Sequence, residues 1–193
     1  IGIHDANGDV VADAPGIAVF TRGNDAGIKH SMEFLGVDAM EPGDVFIINY
    51  PYWSSAHTLD PLVFAPIHAE DKLIGFASCR VHITDLHQKD PGYVLDSTDR
   101  SQEGLVMPAS KLYRRGVKND DVYNIVRFNS RMPKHTIGDI QALVSACVTG
   151  VKRTQELAAK YGVAVLEEAM NTINEHGERL AKLALKKLPK GTW

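Results

Sequence analysis

The sequence predicts an α+β fold, with a mixed β-sheet in about the first 115 residues and a layer of packed helices after it. Apolar runs rich in β-branched and aromatic residues, such as 45–48 and 73–81, are bounded by Gly, Pro and Asp and indicate buried strands. From residue 119 onward, apolar residues instead recur at the three-to-four spacing of amphipathic helices. The 193 residues, 44% hydrophobic and 23% charged, are sufficient for one sizeable core.

The predicted strands follow one another through the first region. Asn7-Gly8 between apolar flanks indicates a hairpin, and Pro61 and Pro66 place one later strand near a sheet edge or a bulge. The strand at 73–82 is expected to be central. The predicted strand segments are 1–11, containing the hairpin, then 17–20, 44–49, 62–67, 73–82 and one run within 104–116.

One helix is predicted early, and the others lie in the second half. Residues 24–35 have helical spacing and end at Gly36. A second helix begins at Asn119 or Asp120 and runs through Phe128. Two more are expected at 136–149, with an extension to 160, and at 163–188. The predicted organisation is a sheet region at 1–118 that carries the site and a helical region at 119–193 packed on it, as one continuous domain segment.

Composition excludes several functional classes. A net charge of −3 and a pI near 6.2 argue against a nucleic-acid-binding surface. Cys79 and Cys147 lie in apolar sequence and are expected to be reduced core residues, which favours the cytoplasm. The sequence has no transmembrane run and no signal peptide, so no membrane association is expected. It starts on an apparent strand and ends just after a helix, so a piece of a longer polypeptide is expected.

The pattern His-x-x-Asp occurs twice, each time downstream of an apolar run. His57 and Asp60 form the first copy, and His82 and Asp85 form the second. Imidazole and carboxylate groups together suit Zn, Mn or Fe. His82 lies 25 residues after His57, a distance that an intervening hairpin or crossover could close. The alternative is that these are ordinary polar residues at loop ends.

Three further features leave alternatives open. The aromatic segment 50–53 either walls a ligand pocket or plugs a core edge. Lys111, Arg114 and Arg115 either receive an anionic substrate or, as we favour, cover a solvated face. His87 is a candidate extra ligand. The sequence has no Walker loop, dinucleotide fingerprint or GxSxG elbow, so metal-assisted chemistry is the remaining catalytic option.

Four ordered blocks resemble the hydantoinase B/oxoprolinase family. The segment 43–60 (GDVFIINYPYWSSAHTLD) resembles the family motif GDVFxxNDPYxGGTHxxD, and 82–92 (HITDLHQKDPG) resembles HxxDxGGxxPG. The segments 103–116 (EGLVMPASKLYRRG) and 129–142 (NSRMPKHTIGDIQA) are similar to EGLRIPPVKLYxxG and NxRxPxxxxGDLxAQ. Tyr50, Ser54-Ser55 and residues 86–88 depart from these motifs, and Trp53 suggests an apolar substrate, either aromatic or a small ketone.

The resemblance implies a catalytic subunit, or a fragment of one, in a cytoplasmic hetero-oligomer. A hydantoinase A-type partner would bind ATP and activate a small carbonyl or cyclic amide substrate. The reaction would be carboxylation of a ketone, as in acetone and acetophenone carboxylases, or ring opening, as in N-methylhydantoinases and 5-oxoprolinases. The carboxylase branch also implies a divalent metal, with manganese favoured over zinc or iron.

The positions that match the family's metal ligands are His57, Asp60 and His82. From their chemistry, Asp85 is expected to orient a ligand histidine or act as a base, and His87 and Lys111 to stabilise an anionic intermediate. The rival hypotheses are a scaffold segment whose HxxD pairs only hydrogen-bond loops together, and a stand-alone metal hydrolase.

Overall fold

A seven-stranded sheet forms the frame of the protein. The computed structural model describes residues 1–14, 16, 20, 23–54, 57–189 and 191. The spatial order of the strands is β2-β1-β5-β4-β3-β6-β7. Their bounds are β1 (Gly2–Asp5), β2 (Val10–Asp13), β3 (Val45–Ile48), β4 (Leu62–Ala69), β5 (Lys72–Arg80), β6 (Ser110–Arg114) and β7 (Val117–Lys118).

The α+β class and the order of sheet first, most helices afterwards, are confirmed. The ladders between the described strands all run antiparallel, whereas a mixed sheet was expected. The antiparallel order follows from short connections: β4 and β5 are joined by Glu70 and Asp71, which both have positive φ, as the tight turns of hairpins require. The strand predicted at 17–20 falls largely outside the described residues.

The strand β4 is internal rather than at an edge. It lies between β5 and β3, so the edge position suggested by Pro61 and Pro66 is wrong. The alternative of a bulge is supported, because the register shifts between Ile67 and His68, immediately after Pro66. Pro66 therefore sits within the ladder beside an irregularity that loosens the pairing.

The helices cover both faces of the sheet. The first, α1 (Asn24–Leu35), packs on the face that holds Phe46, Phe64 and Phe76. On the other face lie α2 (Asp120–Phe128) and α3 (Pro133–Tyr161). Pro133 opens α3, where a missing N–H costs nothing, and the extension predicted toward residue 160 is confirmed.

The last helix, α4 (Val163–Leu185), leaves the body of the protein partway along its length. Met170 is 4% exposed, but Ile173, Leu180 and Leu183 are each about half exposed at 50%, 51% and 50%. No helix within the described part of the chain has both the length and the apolar character needed to span a bilayer.

Candidate functional site

The β4–β5 hairpin brings one residue of each HxxD motif together. At the open end of this hairpin, Leu62 pairs with Arg80. Two residues further from the turn on each strand, Asp60 therefore lies opposite His82. His82 Nδ1 is 2.8 Å from Asp60 Oδ1. Asp60 is 1% exposed and the His82 side chain is 22% exposed, so the contact lies in a partly buried corner. Of the two connections left open by the sequence, a hairpin or a crossover, the structure therefore has the hairpin.

His57 enters the same corner through a turn. The Asp60 N–H donates to the His57 carbonyl over 3.1 Å, and the Ile83 N–H donates to the Leu59 carbonyl over 2.7 Å. The second bond ties the segment after β5 to this turn. Backbone hydrogen bonds alone thus hold the two motifs next to each other.

Asn49, the residue that follows β3, holds this turn against a third segment. Its side-chain amide donates to the carbonyls of Thr58 over 2.6 Å and Leu105 over 2.9 Å. Its side-chain oxygen accepts from the Met107 N–H over 2.6 Å. Asn49 is 0% exposed, so these bonds satisfy backbone groups that water cannot reach.

The ring of Tyr93 contacts both imidazoles. It stacks on His82 with ring centroids 4.5 Å apart and meets His57 edge-on at 5.5 Å. Glu103 Oε2 lies 3.9 Å from His57 Nδ1. The corner therefore contains two histidines, two carboxylates and one phenol, here named the imidazole corner (His57, Asp60, His82, Tyr93 and Glu103).

Asp60 and His82 fit a metal ion better than His57 does. Asp60 Oδ2 and His82 Nε2 are buried without a hydrogen-bond partner, an arrangement that costs free energy unless a ligand is bound. Two ligands at about 2.1 Å and at right angles on one ion lie about 3 Å apart, so the 2.8 Å contact also fits a shared ion. Across the described residues, however, no group of three or more His, Cys, Asp and Glu side chains is already arranged to hold a metal.

A buried guanidinium borders Asp60 on the α1 side. Arg80 is 8% exposed, donates to the Gly23 carbonyl over 3.3 Å and has an Nε without a partner. Burial lowers the pKa of Arg80 to about 10, although the charges of Asp60 and Asp25 act to raise it. This cation places positive potential beside the Asp60 carboxylate.

Asp85 is bound to the link between α2 and α3. Its carboxylate is 0% exposed and accepts from the side chain and backbone N–H of Arg131 and from Ser130 Oγ. Burial alone would raise the pKa of Asp85, but the hydrogen bonds and charge of Arg131 outweigh burial and lower it. A carboxylate held this way anchors its loop, and its expected role as a base or as an orienter of a ligand histidine stays a prediction.

His87 and Lys111 are placed differently from one another. His87 is exposed, with a positive φ of 67°, in the loop after the second motif. Lys111 Nζ lies 2.6 Å from Asp44 Oδ2 and donates to the Ala39 carbonyl over 2.7 Å. Asp44 precedes β3, whereas Asn49 and the imidazole corner lie beyond the other end of that strand. Lys111 therefore forms its ion pair away from the imidazole corner.

The aromatic segment 50–53 divides between the two predicted roles. Tyr50 and Trp53 pack against the α1 core, and Trp53 stacks near His30 and Phe34. Tyr52 is 75% exposed and lines a surface cavity of about 420 Å³ that also includes Arg100 and Glu103. Because Glu103 lines this cavity and is also part of the imidazole corner, the cavity borders that corner.

Several residues of the site were not singled out from the sequence. Asn49 and Arg131 lie inside the family-like blocks, so their fixed place in those blocks was the available signal. Glu103 opens the third block in the same way. Tyr93 follows Pro91-Gly92 in a polar stretch whose course no periodic pattern indicates.

The chain matches known proteins along its whole length. The family model described as hydantoinase B/oxoprolinase matches residues 1–193. The B-type subunit of a putative D-/L-hydantoinase from Pseudomonas sp. (strain NS671) is 35% identical over 169 residues, which cover 86% of this chain and 28% of that protein.

Solved structures share the fold. A crystal structure of ATP-dependent caprolactamase from Pseudomonas jessenii superposes with a TM-score of 0.92 at 26% identity, covering 98% of this chain and 33% of that one. A nucleotide-free acetone carboxylase, at 22% identity and a TM-score of 0.85 over 91% of this chain and 24% of that one, shares the fold. The chain spans a third or less of these relatives' lengths. With the family model matched from its first residue to its last, this chain belongs to the hydantoinase B/oxoprolinase family.

Proposed function

We propose that the imidazole corner is the metal-binding catalytic centre of a hydantoinase B-type subunit that acts on a carbonyl or cyclic amide substrate. The observation that carries the proposal is the Asp60–His82 contact of 2.8 Å with an unpartnered, buried atom remaining on each side chain. His57 completes the set by turning about its side-chain bonds, which its 40% exposure permits.

The residues of the corner have separate tasks in this proposal. His57, Asp60 and His82 hold a divalent ion, with manganese the first choice and zinc or iron the alternatives. When bound, the ion would polarise a carbonyl or enolate oxygen or lower the pKa of a water molecule. Tyr93 covers the imidazoles and limits the access of water, and Arg80 is a buried cation whose charge interacts with that of Asp60.

The family relationship supports a multi-subunit setting. The similar caprolactamase is described as ATP-dependent, and the similar hydantoinase protein is described as one subunit of its enzyme. We therefore propose a hydantoinase A-type partner that binds ATP and activates the substrate, with this chain contributing to the following step. Ketone carboxylation and cyclic amide hydrolysis are both compatible with the residues of the corner.

Metal content provides the test. Purified protein is loaded with Mn²⁺ or Zn²⁺, desalted and analysed by mass spectrometry, and His57→Ala and His82→Ala are compared with the wild type. His30→Ala is the matched control, because His30 lies on α1, where its Nδ1 is 3.3 Å from Glu33. We expect about one ion per chain in the wild type and control and a loss in both site variants. Equal metal content in all four proteins would refute the site and favour a scaffold role.

A further inference from the structure

We propose that Glu103 is a positioning residue for His57, whose Nδ1 it faces. This inference rests on the proposed function, since its consequence is a ready ligand atom on His57. Glu103 would not bind the metal itself but would orient one of its ligands. It lies in a different block of the sequence, 46 positions after His57.

The two histidines of the corner have matching surroundings. Each presents Nδ1 to a carboxylate oxygen: His82 to Asp60 at 2.8 Å and His57 to Glu103 at 3.9 Å. Each ring also contacts Tyr93. Because Glu103 is not itself a proposed metal ligand, its carboxylate facing His57 Nδ1 fixes the proton on that nitrogen and leaves the Nε2 lone pair available to a ligand.

The backbone around Glu103 is tightly fixed. The Lys89 N–H donates to the Gln102 carbonyl over 2.7 Å, and the Leu105 N–H donates to the Leu86 carbonyl over 2.7 Å. Thr58 Oγ1 donates to the carbonyl of Glu103 itself. The residues around Glu103 are thus bound to the segment that follows His82, and Glu103 itself is bound to the residue that follows His57.

The side chain of Glu103 is also oriented. Ser97 Oγ donates to Glu103 Oε1 over 2.7 Å, which leaves Oε2 as the oxygen that faces His57. The side chain is 28% exposed, so its carboxylate is only partly hydrated. A separation of 3.9 Å exceeds a hydrogen bond, and a small rotation of the half-exposed His57 ring closes it when a ligand binds at Nε2.

Glu103→Gln is the decisive variant because it keeps the shape and removes the charge. If Ser97 continues to donate to the remaining oxygen, the new amide NH₂ lies where Oε2 was and donates toward His57 Nδ1. The proton of neutral His57 should then move to Nε2. Nitrogen-15 NMR of the imidazoles at about pH 8, where histidine is neutral, reads this tautomer without any metal present.

Metal binding provides the second measurement. Calorimetric titration with Mn²⁺ should show affinity about 10- to 100-fold weaker in Glu103→Gln than in wild type. Glu33→Gln is the matched control, since Glu33 faces His30 Nδ1 on α1 and should change neither readout. Should Glu103→Gln fail to fold, Ser97→Ala, which frees the same carboxylate, should give a smaller loss of affinity and a mixed His57 tautomer.

The outcomes separate this inference from the proposed function. Wild-type protein that binds no Mn²⁺ or Zn²⁺ would refute the metal centre, while a tautomer that changes in Glu103→Gln would still establish the positioning role. Wild-type protein that binds Mn²⁺, with the same affinity and the same His57 tautomer in Glu103→Gln, would overturn the role of Glu103 and leave the metal centre standing.

Discussion

Replacing Arg131 by methionine should destabilise the protein by leaving the Asp85 carboxylate buried with too few partners. Arg131 donates to Asp85 Oδ1 from Nε at 3.1 Å and from Nη2 at 2.6 Å. Its Nη2 also donates to the Gln88 carbonyl over 2.7 Å. Methionine keeps the aliphatic length of the side chain but removes these three bonds, a longer one from Nη1 to the Lys89 carbonyl over 3.4 Å, and the charge.

The expected loss follows from what remains. Removing one partner of a buried ion pair costs about 3–5 kcal/mol. The Arg131 backbone N–H and Ser130 Oγ still donate to Asp85 Oδ2, and 45% of the Arg131 side chain is already exposed. We therefore expect a loss of about 2–3 kcal/mol, or roughly 4–12 °C in Tm for a protein of this size.

Urea denaturation followed by circular dichroism measures this loss. Arg153→Met is the control, because Arg153 pairs with Glu156 on the exposed surface of α3 and should cost less than about 0.5 kcal/mol. Adding Asp85→Asn to Arg131→Met should recover part of the loss, since a neutral amide is cheaper to bury than a charge. A loss below about 0.5 kcal/mol in Arg131→Met, or a further loss on adding Asp85→Asn, would show that the pair does not anchor this loop.

Three further changes test other parts of the structure. Asn49→Ala should lower the free energy of unfolding in urea by about 2–4 kcal/mol, because the Thr58 and Leu105 carbonyls and the Met107 N–H lose a buried partner; an unchanged midpoint would contradict this. Burial lowers the pKa of His4, so below about pH 6.5 the unfolded state gains a proton first and stability falls, whereas above that pH both states are neutral. His4→Gln should therefore flatten the decline in Tm from pH 8 to 5, and parallel curves would count against it. Tyr93→Ala should speed the reaction of His82 with diethylpyrocarbonate, read by peptide mass spectrometry, because the stacked ring is removed; equal rates would show that Tyr93 does not cover His82.

Local sequence patterns were sufficient for most elements but not for their arrangement. The three-to-four spacing predicted the body of α3 and its extension, since this signal acts within a few residues, but the helix begins at Pro133, three residues before the predicted start at residue 136. The internal position of β4 could not be predicted in this way, because it depends on which strands pair with β4 in the folded sheet. Those strands are β5 and β3. The Pro66 signal indicated an irregularity correctly but not the position of the strand.

The same distinction applies to the candidate site. The repeated HxxD pattern identified Asp60 and His82, which a hairpin places opposite each other. The bond between Asp85 and Arg131 joins residues 46 positions apart, and no spacing rule predicts such a contact. The ion pair between Lys111 and the buried Asp44 joins residues 67 positions apart and is likewise outside the reach of any spacing rule, while the expected role of Lys111 toward an anionic intermediate stays a prediction.

The hairpin also sets a limit on how this family can vary in length here. Asp60 and His82 face each other at the open end of two arms joined by the turn at Glu70 and Asp71. One residue inserted into a single arm would carry His82 one step along and turn its side chain to the opposite surface of the sheet, unless a bulge absorbed it. The matched lengths of the two arms therefore determine whether Asp60 and His82 meet. Lineages that keep this pair in contact should gain or lose residues in both arms together or in the turn.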